Sequence, residues 1–181
     1  MKGVVFTEFL EMVEDSFSLE IADEMINSSN LDSNGVYTTV GTYDHMEMVE
    51  MVTQLSKLTG IDVPSLLQAY GELLFTKFAQ GYGVFFENVD SSFEMLKQVD
   101  NYIHIEVKKL YPDAELPKFD YEEISENQLL MKYSSPRGFA AFAKGLIMGC
   151  NTHFKEDIDI EITDLSDGAG KEVHFLLTKK N

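Results

Sequence analysis

The hydrophobic pattern of this chain changes period at Pro117, and that change decides what the chain can fold into. Before it, apolar residues recur at the three-to-four-residue spacing of amphipathic helices. Beyond it, KFDYEEI, NQLLMKYSS, IDIEIT and EVHFLLTKK read as strands, and the acidic alternation of IDIEIT marks a sheet exposed on one face. A single helix, RGFAAFAKGLIMGCNTHF, falls between the two pairs of strands. The expected fold class is therefore α+β: an amino-terminal helical part, then a four-stranded antiparallel sheet with a helix inserted between strand pairs.

The helices carry their own punctuation. Phe6, Phe9, Leu10, Val13 and Phe17 mark a first helix, with Val5 and Phe9 expected to look inward. Ser18 can cap the second, SLEIADEMIN, and an Asn34-Gly35 turn follows. Asp44 with Glu47 reads as a capping box opening HMEMVEMVTQLSKLTG, which stops at Gly60. Its Met46, Met48 and Met51 are assigned to core packing, since Met48, Val52 and Leu55 keep helical spacing. Pro64 suits the first turn of PSLLQAYGELLFTKFAQGY, whose apolar content is Leu66, Leu67, Tyr70, Leu73, Leu74 and Phe78. Ser91 with Glu94 is another capping box, and it predicts one continuous helix, stopped by Pro112, that buries Phe93, Leu96, Val99, Ile103, Val107 and Leu110.

At 181 residues the chain is one domain's worth, expected to divide into a helical subdomain of about 1–60 and a second subdomain of about 61–181. Acidic residues outnumber basic ones 31 to 14, a net charge of −17 that repels phosphate backbones and anionic lipid. No nucleic-acid or membrane partner is expected. The lone Cys150 excludes an internal disulfide and a cysteine-based metal cluster. MKGVVFTEFLEMVEDSF turns acidic too early for a secretory signal, so a cytoplasmic protein is expected.

Two places could carry chemistry. His104 lies beside the apolar stripe of its helix, on the side shared with Asp100 and Tyr111. It admits a core-edge histidine satisfied by backbone carbonyls as well as a metal ligand. Tyr133, Ser135 and Arg137 alternate, so on an extended segment they share one face and form an anion receptor; a strand-end arginine paired with a local carboxylate is the plainer alternative. His45, His153 and His174 form no metal-ligand pair at helix spacing.

Together, HIEVKKLYPDAELPKF and YSSPR resemble the haem nitric oxide/oxygen binding family, H-NOX, the haem domain type also found in soluble guanylate cyclase. The resemblance runs from MKGVVF to the closing hairpin. It implies haem b held between the helices and the sheet, with His104 as proximal iron ligand and Tyr133, Ser135 and Arg137 on the propionates. Pro117 looks like the family proline that presses on the porphyrin. The implied distal pocket is Val5, Phe9, Leu74, Phe78, Phe142 and Leu146. Oxygen-binding relatives place a hydrogen-bonding tyrosine five residues after the arginine; this chain has Phe142.

The resemblance thus implies a sensor that takes nitric oxide and carbon monoxide and discriminates against oxygen. Nitric oxide would break the His104–iron bond and shift the helices against the sheet. The length leaves no room for an output enzyme, so the expected partner is a separate histidine kinase or cyclic di-GMP enzyme, met by a monomer. An enzyme is not expected: the implied pocket lacks the acid/base group of a peroxidase, and no nucleophile elbow or P-loop is present. An oxygen or redox sensor is disfavoured by Phe142. An interaction module without haem, with a structural His104, stays open.

Overall fold

The computed structural model describes residues 1–180. By internal packing the chain divides between Tyr70 and Gly71, past the expected boundary near residue 60.

In the first unit, α1 (Gly3–Ser16), α2 (Leu19–Asn27) and α3 (His45–Thr59) pack in sequence order, joined by the opening turns of α4 (Val63–Gly81). Phe6, Phe9, Val13 and Leu55 are fully buried, as the helical spacing predicts, and Met25 and Met51 join them, while Val5 is only half-buried. Ser18 caps α2 through the Ile21 amide at 3.2 Å, and Gly60 ends α3 in the left-handed region at φ 74°. Asp44 caps α3, accepting from the Met46 amide at 2.9 Å. The expected capping box is only half made, because Glu47 is buried and turns to the 28–44 loop. It accepts from Ser33 and, at 2.7 Å, from the Tyr37 hydroxyl. Phe6 stacks on Tyr37 with centroids 4.5 Å apart, which packs this one ring of the loop against α1 while Val36 and Val40 stay exposed. Of the methionines in α3, Met48 and Met51 are core residues and Met46 is exposed.

The second unit contains the rest of α4, a 3₁₀ turn at Gly83–Phe86, α5 (Ser92–Gln98), a π-helical segment (Val99–Ile103), α6 (His104–Leu110), α7 (Ala140–Phe154) and the sheet. Strands β1 (Lys118–Ser125), β2 (Gln128–Ser134), β3 (Ile158–Asp164) and β4 (Glu172–Lys179) are antiparallel in the order β1-β2-β4-β3. The strand run, the antiparallel pairing and the inserted helix are as expected. β4 pairs with β3, as expected, and also with β2, which makes it an interior strand. Its Val173, Phe175 and Leu177 join Leu129, Met131 and Tyr133 of β2 in a core completed by Phe93, Leu96, Ala143, Ile147 and Cys150.

Glycine lets α4 and α7 meet backbone to backbone. A Cβ on Gly71 would lie 2.4 Å from the Phe142 carbonyl oxygen, and one on Gly149 would lie 2.7 Å from the Phe75 Cβ. The single long helix expected from Ser91 is instead α5, a π turn and α6. Leu110, expected in its buried stripe, is 65% exposed. The wider π turn re-phases everything after it, so spacing counted from Phe93 no longer reports the buried face.

Candidate functional site

The helix bearing His104 is fixed at its start by three hydrogen bonds. Ser91 Oγ accepts from the Glu94 amide at 3.3 Å, and Glu94 reaches back to the Asp90 amide at 2.9 Å. The buried Ser92 donates its amide to Glu156 at 2.7 Å, and Glu156 also pairs with Lys179 of β4 at 2.7 Å. The origin of α5 is therefore tied to the residues following α7 and to the sheet. Downstream, the His104 amide donates to the carbonyl of Val99, five residues back, which defines the π turn.

This turn brings Asp100 and His104 side by side. Asp100 Oδ1 lies 2.9 Å from His104 Nδ1, with the imidazole 16% exposed. The same oxygen accepts from the Phe119 amide of β1 at 3.4 Å, a long bond that ties the aspartate to the sheet. An ionised carboxylate only accepts, so the proton between the two side chains belongs to Nδ1. Burial pushes the imidazole below its ordinary pKa, against the opposing pull of Asp100, and favours the neutral ring. Nε2 then carries the lone pair, and among the described residues it makes no hydrogen bond.

A chain of rings leads from this histidine to the second candidate site. His104 is 6.2 Å from Phe119, which faces its cross-strand partner Tyr133 at 5.4 Å. The three receptor residues do not share one strand face: β2 ends at Ser134, and the chain turns through Pro136 and Arg137. The turn nonetheless gathers them. Ser135 Oγ accepts from the Arg137 amide at 3.3 Å, and the Ser135 amide is held by the Lys171 carbonyl at 2.8 Å. The Tyr133 hydroxyl accepts from the Phe139 amide at 3.2 Å, and burial raises its pKa, keeping the O–H available as a donor. The Arg137 guanidinium, 13% exposed, donates to the carbonyl of Glu115 at 3.0 Å and to its carboxylate. Glu115 is itself 83% exposed, so a shielded cation is met by a carboxylate from the solvent side.

Leu74 and Phe78 follow Gly71 at helical spacing on α4, while Phe142 and Leu146 precede Gly149 on α7. Leu74 is buried and the other three are half-buried, and none of the four side chains has a donor hydrogen. Pro117 is half-buried at the entry to β1. Phe9, in the first unit, is fully buried with its ring 5.2 Å from Tyr70.

Sequence reasoning reaches His104 and the side it shares with Asp100, but not the π turn or Glu115. A mixed pentad such as VDNYI has no π signature, and nothing local pairs residue 115 with residue 137. Among the described residues no group of three or more His, Cys, Asp or Glu could hold a metal ion, so the only metal chemistry these residues fit is one that brings most of its own ligands. Haem meets that condition: one imidazole nitrogen with a free lone pair for iron, and a shielded guanidinium with two hydroxyls for carboxylates.

The fold is an α+β one, and its donor set fits haem. A family model described as Haem-NO-binding matches residues 2–162. An H-NOX protein from K. algicida, solved as unliganded Fe(II), is 40% identical with a TM-score of 0.95 over 100% of this chain and 97% of that one. The IWP-051-bound H-NOX from Shewanella woodyi, in its Fe(II)CO state, is 39% identical with a TM-score of 0.84, covering 99% and 95%. An H-NOX protein from S. oneidensis in the Fe(II)NO state, 24% identical, shares the fold with a TM-score of 0.91 over 100% of both chains. The chain belongs to the haem-NO-binding (H-NOX) family of gas-sensing haem domains. None of its helices among the described residues is long and apolar enough to cross a membrane.

Proposed function

We propose that this chain is a cytoplasmic nitric oxide sensor carrying haem b, with His104 Nε2 as the proximal ligand. The observation that carries this reading is the half-buried imidazole whose Nδ1 is committed to Asp100, leaving Nε2 for iron. Tyr133, Ser135 and Arg137 hold the propionates, with Arg137 giving two parallel donors to one carboxylate. Pro117 bears on the macrocycle. When bound, haem would supply a ferrous iron, held by His104, able to take a diatomic gas.

Leu74, Phe78, Phe142 and Leu146 supply apolar surroundings for that gas. Bound oxygen is strongly polarised and needs a hydrogen-bond donor; nitric oxide and carbon monoxide need it far less. These four side chains offer none. The preference is therefore for nitric oxide, with carbon monoxide as a second ligand and oxygen rejected.

Release of His104 on nitric oxide binding is the switching event. The segment from the π turn through α6 then loses an anchor, which biases a two-state element as any allosteric account requires. The response passes to a separate protein, a histidine kinase or a cyclic di-GMP enzyme, and this chain performs no catalysis of its own. The test is the absorption spectrum of the reduced protein with air, carbon monoxide and nitric oxide, beside His104→Gly. A five-coordinate ferrous haem that ignores air and becomes a five-coordinate nitrosyl is expected. A stable oxygen complex, or a spectrum unchanged by His104→Gly, would overturn the reading.

A further inference from the structure

Asp100 makes two contacts with different consequences: its carboxylate lies 2.9 Å from His104 Nδ1 on its own helix, and 3.4 Å from the Phe119 amide on β1. The second means that Asp100 does not swing with its helix alone. The first joins residues four apart, a spacing at which helical side chains are neighbours.

A carboxylate accepting the Nδ1 proton of a metal-bound imidazole pushes electron density toward Nε2. It also locks the ring plane, and loss of such a partner typically costs about 10–100-fold in metal affinity or activity. We infer that Asp100 is a positioning residue that, through its paired contacts with His104 and the Phe119 amide, sets how firmly the histidine holds iron. It thereby sets how readily nitric oxide releases that histidine. This rests on the assignment of His104 as the haem ligand. With Asp100 in place the His104 bond resists release; without it, the sensor trips more easily and retains haem less well.

The geometry also separates the charge from the tether. Asp100→Asn keeps an oxygen for Nδ1 and the Phe119 amide but removes the negative charge, whereas Asp100→Leu removes both contacts. A merely structural Asp100 would make the asparagine variant behave as wild type.

The experiment uses haem-loaded protein and reads three signals in wild type, Asp100→Asn, Asp100→Leu and His104→Gly. These are the iron–histidine stretching band of the ferrous protein, the ratio of six- to five-coordinate nitrosyl, and the rate of haem transfer to apomyoglobin. The band is expected to fall in Asp100→Asn and further in Asp100→Leu, the six-coordinate share to shrink in the same order, and haem transfer in Asp100→Leu to quicken about 10–100-fold. An unchanged band and transfer rate in both Asp100 variants, with the band lost in His104→Gly, would overturn the Asp100 role alone. A band that survives His104→Gly would overturn the ligand assignment and this inference together.

Discussion

Replacing Gly149 with alanine should destabilise the protein, although alanine is the better helix former. The gain from propensity in a helix interior is at most about 1 kcal/mol. Against it stand three fixed neighbours of the new methyl: the Phe75 Cβ at 2.7 Å, the Glu72 carbonyl oxygen at 2.9 Å and the Glu72 Cα at 3.2 Å. All three belong to the α4 backbone or are bonded directly to it, so no side-chain rotation relieves them. The nearest is ~0.7 Å inside ordinary van der Waals contact, and the helices must separate by that order. Separation loosens neighbouring contacts as well, and overpacking of this kind costs about 1–3 kcal/mol. The net expectation is a loss of about 1–2 kcal/mol, which for a chain of this size lowers Tm by about 3–8 °C. Gly81, at the end of the same helix α4, has nothing within 4 Å of the place a methyl would take, so Gly81→Ala should be neutral or slightly stabilising. Urea titrations of both variants at equal haem loading decide the matter, because bound ligand stabilises by mass action. Gly149→Ala as stable as wild type with an unchanged m value would refute the close-packing argument.

Three further outcomes are expected. Burial pushes the Glu156 carboxyl up, but Lys179 and Ser92 outweigh it and hold it below the usual carboxylate range, so its contribution is present above the unfolded value near 4.5 and lost as pH falls through the folded value. Glu156→Gln should cost about 1–2 kcal/mol at pH 7, a gap that narrows as pH falls below the unfolded value and through the folded one, read in urea midpoints across that range. Cys150 is fully buried and its thiol is pushed up to about 12 by burial, so a thiol reagent at about pH 8 should leave the folded protein unlabelled and label it fully in denaturant; rapid labelling of folded protein would contradict its burial. Phe142→Tyr places a hydroxyl donor on the gas side of the proposed site and should yield an oxygen complex in air, read by absorbance; no change would argue against Phe142 facing the gas.

The helix starts are legible in the sequence because caps are local: Ser18, Asp44 and Ser91 each accept from an amide two or three residues onward. The strands are legible from alternation, and His104 from its place beside an apolar stripe. What escapes is either a change of phase or a contact distant in sequence. The π turn shifts the stripe, so Leu110 reads as core and is exposed. Glu47 looks like half of a capping box, yet it turns back to Ser33 and Tyr37 in the preceding loop, contacts that no local pattern reports. The Arg137–Glu115 pair spans 22 residues and requires the turn after β2 to bring its ends together. The receptor triad is recognisable by its residue types, although the chain assembles it through a turn and not on a shared strand face.

The position of β4 inside the sheet bears on how the chain reaches this state during synthesis. Residues 118–134 can form a hairpin as soon as they emerge, but one edge of β2 and the inner edge of β3 then wait for Glu172–Lys179. Until that strand arrives, Leu129, Met131 and Tyr133 lack the neighbours that bury them, and two backbone edges can recruit a wrong partner. A growing chain should accordingly depend on chaperone shelter late, over the stretch between β2 and β4, while the first seventy residues have their own core to fold around. Substitutions that weaken β4 would then show first as lower soluble yield, ahead of any change in gas binding by the molecules that do fold.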